Sequence, residues 1–172
     1  MTELSTEQQR LGWFNDLPDD QAVDELLAVC HSRRWATRVA ARRPYPDLAT
    51  LQRTADEVWT KLELGDWLEA FAAHPRIGER GGGSANWSSK EQAGVGAAGQ
   101  DVQAAIASGN VAYEQRFGHV FLVSAEGRGA EEILANLRAR LGNDPDTELR
   151  VAADEHRRIT RLRLERLLRA HR

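Results

Sequence analysis

From Asp144 to Arg169 the chain keeps one helical period with no glycine to break it. At about 100° per residue, Leu149, Ala152, Ala153, Ile159, Leu162 and Leu167 share one side. A helix with one long apolar stripe needs other elements to cover it. Arg163 falls near the middle of that stripe, as does His156, whereas Arg157 and Arg161 lie elsewhere. A charge there must be partnered, because an unpaired buried charge costs several kcal/mol. Arg163 therefore reads either as a snorkelling or salt-bridged side chain or as an anion contact at the base of a pocket. His156 reads as a hydrogen-bonded core histidine.

The partners of that helix are helices too. Ser5 with Gln8 forms a capping-box pattern, and Pro18 with Asp19 and Asp20 opens a helix carrying Ala22, Val23, Leu26, Leu27 and Cys30. The pattern predicts a helix over 33–43, with Trp35 and Val39 on one face, stopped by Pro44 and Pro46. Asp47 caps the next, in which Leu48, Leu51, Ala55, Val58, Trp59 and Leu62 recur. Asp66 is expected to cap a short helix over 67–73, ended by Pro75. A long helix is expected over 88–108, in which Gly94, Gly96 and Gly99 each cost about 1 kcal/mol against alanine. Glycines are tolerated there if another backbone or a ligand comes close. A shorter helix over 110–117 is broken by Gly118, and Val120–Val123 is a lone apolar run without a partner strand. Ile133, Leu134, Leu137 and Leu141 mark a helix over 130–141, closed by Gly142-Asn143. These patterns predict an all-α fold, one helical bundle over 1–172 with a long C-terminal helix.

Composition narrows the function classes. At 172 residues the chain can build one well-buried core. A net charge of −3 exerts no general pull on nucleic acid or anionic membrane, and the C-terminal arginines alternate with glutamate and leucine as a solvated face does. Cys30 is the sole cysteine, so no disulfide can form within the chain, which fits a reducing cytoplasm. No signal peptide, peroxisomal address or membrane span is expected. His31, His74, His119, His156 and His171 lack metal-ligand spacing, so no metal is expected.

One stretch is polar where a core would be apolar, FAAHPRIGERGGGSANWSSKEQAGVG over 71–96. A helix delivers His74 into Pro75, which locks the outgoing chain and fixes where the imidazole starts. A histidine at a helix C-terminus also favours the helix dipole, so the position alone leaves both readings open. Ser88-x-x-Glu91 is a capping box by pattern, and a helix N-terminus also offers amide hydrogens to a ligand. Gln92 has a donor and an acceptor, which suits an amide-rich ligand. Gly81-Gly82-Gly83 lacks the lysine of a phosphate loop and reads as a flexible connector or lid.

Taken together, His74-Pro75-x-Ile77-Gly78 and Ser88-x-x-Glu91-Gln92-x-Gly94 resemble the OHCU decarboxylases of purine breakdown. OHCU is 2-oxo-4-hydroxy-4-carboxy-5-ureidoimidazoline. The resemblance continues through Phe14-Asn15, Phe117-Gly118-x-x-Phe121, Ile133-Leu134, Arg140-Leu141-x-Asn143, Glu148-Leu149 and Ile159-x-x-Leu162-Arg163-Leu164. It implies an all-α, usually homodimeric enzyme without metal or organic cofactor. Such an enzyme converts OHCU to (S)-allantoin and carbon dioxide at the last step from urate. It further implies His74 as catalytic acid/base, with Glu91 and Arg163 in catalytic roles. Pro75, Ser88, Gln92 and the segment Phe121, Leu122, Val123, Ser124 and Ala125 would line the substrate. The chain departs from the family at His119-Val120, where an aromatic and a proline are common, and in its short glycine-rich loop over 79–87. Two other readings of the same residues are a non-catalytic helical ureide-binding or interaction module and a decarboxylase of a related ureido or imidazolone acid.

Overall fold

The computed structural model describes residues 5–78, 92–96 and 98–171. Among them the regular elements are all helices: α1 (Thr6–Asp16), α2 (Asp19–Val29), α3 (Arg33–Ala41), α4 (Leu48–Thr60), α5 (Leu64–Ala72), α6 (Ala93–Gly96), α7 (Gln100–Phe117), α8 (Ala130–Arg140) and α9 (Pro145–Ala170). The chain divides into two compact units, 1–70 with 160–172, and 71–159.

In the first unit α1, α3 and α4 each begin behind a capping side chain. Ser5 and Gln8 close a reciprocal capping box on α1. The Ser32 hydroxyl accepts from the Trp35 amide at 3.2 Å, and the Asp47 carboxylate from the Thr50 amide at 2.6 Å. Such caps replace partners that the first turn of a helix lacks, each worth about 1 kcal/mol. Leu26, Val29, Trp35, Val39 and Leu51 fill the core. Cys30 is buried at the end of α2, where its amide donates to the Leu26 carbonyl at 2.9 Å. Burial pushes its thiol up to about 12, so it stays a neutral, unreactive core group.

Two helix boundaries differ from expectation. α5 starts at Leu64, and Asp66 lies inside its first turn rather than capping it. The Asp66 carboxylate reaches back to the Glu63 amide at 3.3 Å, the second half of a capping box, so the aspartate marks the third helical position. The expected helix over 88–108 is not one helix. Its described part holds the short α6 and the start of a separate helix, since α7 begins afresh at Gln100, behind an extended Gly99, and runs through to Phe117. The Gln103 carboxamide donates to the carbonyls of Val95 and Ala98 across this break. The break expected near residue 109 is absent because Gly109 is a contact point instead. A β-carbon there would collide with the Leu137 side chain, so the glycine lets α8 approach α7. Gly94 has the same kind of reason, since a β-carbon would lie 2.7 Å from the Arg128 carbonyl oxygen.

The core of the second unit is built from Ile106, Tyr113, Phe121, Val123, Ile133 and Leu137. Gly118 ends α7 in the left-handed region, with φ of 79°. Residues 120–125 then cross this core without regular structure.

Candidate active site

The polar stretch singled out in the sequence begins where α5 stops. The His74 amide donates to the Phe71 carbonyl at 3.1 Å, a tightened last turn, and Pro75 follows. His74 and Pro75 are half-buried. The His74 ring meets the His156 ring edge to face, with centroids 4.8 Å apart at 81°, and His156 also packs against Phe71 at 5.8 Å. His156 is fully buried, as its place on the apolar stripe of α9 requires.

After the His-Pro pair the backbone turns at Gly78, whose φ of 95° favours glycine. The Gly78 amide donates to the Gln92 carboxamide oxygen at 2.7 Å. That bond takes up one of the two lone pairs of the Gln92 oxygen. Ile77 is fixed in turn, because the buried Asn110 carboxamide donates to its carbonyl at 2.9 Å.

The opposite wall is the segment Phe121–Ala125. A non-helical buried segment cannot satisfy its own backbone groups, so partners must come from elsewhere. The Arg140 guanidinium donates to the Leu122 carbonyl at 2.7 Å and lies over the Phe121 ring at 4.6 Å. The Ser124 amide donates to the Glu155 carboxylate at 2.9 Å. The Arg128 amide donates to the Ala125 carbonyl at 3.0 Å. Arg140 is itself held by the fully buried Glu148, its Nη2 lying 2.6 Å from the carboxylate. The Tyr113 hydroxyl and the Asn143 carboxamide donate to the same carboxylate. Burial, reinforced by the bond to Glu148, pushes the Tyr113 hydroxyl well up, so it remains a proton donor.

His74, Pro75, Ile77, Gln92, Phe121, Leu122, Val123, Ala125 and Ile159 enclose one small cavity of about 20 Å³. That volume holds about one water molecule. The structure thus brings together His74, Pro75, Gln92 and four of the five wall residues named from the sequence. Ser124 belongs to the wall but does not line the cavity, its amide being engaged by Glu155. A larger cleft of about 790 Å³ shares Ile77 with it and is lined by Arg76, Asn110 and Glu114 among others. Its principal charges neutralise each other, Arg76 lying 2.8 Å from Glu114, and it contains no histidine.

Arg163 lies in the first unit and is buried, with its guanidinium 3.4 Å from the Val29 carbonyl. Ser88, Glu91 and the Gly81-Gly83 connector lie outside the described residues. Among the described residues no group of three or more His, Cys, Asp or Glu is placed to hold a metal ion. Likewise no described helix is long and apolar enough to cross a membrane.

Arg140 and Glu148 have a place in the sequence resemblance but no role there, and Glu155 goes unnoticed. Arg140 is seven residues past Ile133 and three past Leu137, so it shares their helical face. Glu148 and Glu155, also seven apart, share one edge of the α9 stripe. The wheel that singled out Arg163 carried these signals as well.

Comparison with known proteins bears on this geometry. The profile of the OHCU decarboxylase family matches residues 15–165. The uric acid degradation bifunctional protein TTL of Arabidopsis thaliana is 32% identical over 151 residues, 84% of this chain and 46% of the relative. The 2-oxo-4-hydroxy-4-carboxy-5-ureidoimidazoline decarboxylase of Amia calva is 29% identical over 138 residues, covering 77% of this chain and 79% of the relative. A crystal structure of OHCU decarboxylase in the presence of (S)-allantoin superposes with a TM-score of 0.76 at 32% identity, over 85% of this chain and 98% of that one. The chain spans less than half the length of its bifunctional relatives.

Proposed function

Because the chain belongs to the OHCU decarboxylase family, we propose that it decarboxylates OHCU to (S)-allantoin in urate degradation, without a cofactor. The observation that carries this reading is the enclosure of His74 with Pro75, Gln92 and the Phe121–Val123 wall around one cavity. The relative crystallised in the presence of (S)-allantoin supports the choice of product.

The chemistry asks little of the protein beyond placement. When the carbon–carboxylate bond breaks, carbon dioxide leaves and its electron pair passes to the neighbouring C=N group of the substrate. That internal electron sink replaces the pyridoxal or thiamine of other decarboxylases. One proton is then delivered to one face of the ureido-bearing ring carbon, while the ring hydroxyl gives up its proton to become a carbonyl and the former C=N nitrogen takes one up, a net uptake of one proton. In this reading the His74 imidazole exchanges that proton. The Gln92 NH2 donates to a substrate carbonyl. Ser88 contributes to the same lining, and Glu91 orients His74 or accepts ureido hydrogens. Arg163 holds a carbonyl oxygen rather than the carboxylate, since a strong grip on the leaving carboxylate would stabilise the ground state. The cavity of about 20 Å³ is too small for the ring, so its lining opens on binding.

The reading extends to organisation. One catalytic domain over 1–172 is supported by a family match that runs through both compact units. We take the working form to be a cytoplasmic homodimer. A lone, buried cysteine fits a reducing compartment, and equilibrium sedimentation tests the dimer.

The decisive experiment generates OHCU fresh from urate and follows circular dichroism as allantoin forms. Faster decay with a single-handed product is expected. Racemic product at the uncatalysed rate sinks the assignment.

A further inference from the structure

The wall Phe121–Ala125 is held at three backbone points, one of them by a buried carboxylate with no part in the reaction described above. The Ser124 amide donates to Glu155 at 2.9 Å, and Glu155 is 6% exposed. Its other oxygen faces Arg128 at 3.6 Å and Arg158 at 3.8 Å. Those distances are long for charge-assisted hydrogen bonds, whereas the contact to the amide is within the usual range. An ion pair alone would gain little from burial, because desolvation opposes it. The backbone amide explains the burial better. Glu155 also precedes His156, whose ring packs edge-on against His74. One turn of α9 therefore supports both the imidazole and the wall facing it.

We propose that Glu155 is a positioning residue of the decarboxylase. By accepting the Ser124 amide hydrogen, its carboxylate fixes the backbone that Val123 and Ala125 present to the substrate. The inference rests on the decarboxylase reading. Small misplacements of substrate-holding groups cost up to about a hundredfold in rate. Loss of the acceptor should therefore lower turnover and let the proton reach the wrong face.

Three variants of the full chain separate this role from a plain ion pair. Glu155→Leu keeps most of the volume and removes the acceptor. Glu155→Gln keeps an acceptor and removes the charge. Arg128→Gln removes an ion-pair partner and leaves the Ser124 bond intact. Each is assayed for kcat, KM, optical purity of the allantoin and melting temperature. Glu155→Leu is expected to lose about tenfold or more in kcat and to give partly racemic allantoin. Glu155→Gln is expected to recover most of the rate and the single-handed product, and Arg128→Gln to match the wild type. A folded Glu155→Leu with wild-type kcat and optical purity overturns the proposal. So does a Glu155→Gln or Arg128→Gln variant as impaired as Glu155→Leu, because the charge pair would then be what matters. If Glu155→Leu fails to fold, the other two decide, and a tenfold loss in either one overturns the proposal. A wild-type chain that forms only racemic allantoin at the uncatalysed rate fails the decarboxylase reading itself. A competent wild type beside an unaffected Glu155→Leu fails this inference alone.

Discussion

Two arginines with little-exposed side chains, Arg43 in the first unit and Arg140 in the second, do similar bonding for different ends. Arg43, in the first unit, donates to the carbonyls of Phe14 at 2.8 Å and Leu17 at 2.7 Å, at the end of α1, and pairs with Asp19 at 2.8 Å. Its partner carboxylate is fully exposed. Arg140, in the second unit, donates to the Leu122 carbonyl in a non-helical wall and pairs with a carboxylate that has no exposure at all. The first arginine finishes a helix. The second holds irregular backbone in place beside the cavity. Helices satisfy most of their own backbone groups and need help only at the ends, so the Arg43 pair can keep its carboxylate in water. A pocket wall with no ladder or helix of its own needs buried charge to keep its shape, and that makes the second unit more vulnerable to single substitutions.

The largest effect is expected at the cavity. His74→Ala should lower turnover of OHCU by about a hundredfold to ten-thousandfold, the usual range for a positioned acid/base, while the melting temperature stays close to wild type. Near-normal turnover would remove His74 from its catalytic role. Next comes Arg140→Met. It strands the Glu148 carboxylate in the core and should cost about 3–5 kcal/mol in urea unfolding. A loss under about 1 kcal/mol would mean that Glu148 finds another partner and that the contrast between the units is overstated. Arg43→Met leaves Asp19 in water and gives up hydrogen bonds to helix-end carbonyls, so about 1–2 kcal/mol is expected. If Arg43→Met and Arg140→Met cost the same, exposure of the partner carboxylate is not what separates the two regions.

The same contrast explains what was legible in the sequence. Ser5, Asp47 and Pro18 announce helix starts because a cap acts on residues three or four positions away. His74-Pro75 was legible because proline constrains its immediate neighbour. Arg163 and His156 stood out on the wheel, and both are buried. What failed depends on contacts distant in sequence. The helices expected over 88–108 and 110–117 leave Gly109 between them, because its reason, Leu137 on another helix, is invisible locally. The role of Glu155 depends on an amide at Ser124, and that of Arg140 on a carbonyl at Leu122. In a helix rich in arginine and glutamate, Glu155 looked like one more solvated charge.

The smallest effect tests whether the units also share something. Asp47 caps α4 in the first unit and Asp144 caps α9 at its start in the second. Both carboxyls are held below their ordinary value of 3.8, mainly by hydrogen bonds from Thr50 and Thr147 respectively. A carboxyl with a lowered folded-state pKa adds stability that is fully present above the unfolded value. That stability is lost as the pH falls through the folded value. Each cap should therefore contribute a small part of the acid limb of the stability curve, below the ordinary carboxylate range. Asparagine remains a good cap but cannot titrate there. Asp47→Asn and Asp144→Asn should leave stability at neutral pH nearly unchanged and flatten the acid limb by similar small amounts, read from urea midpoints at descending pH. An acid limb flattened by only one of them would show that even these exposed caps are coupled to what their unit buries. Equal flattening would confine the difference between the two regions to their buried charges.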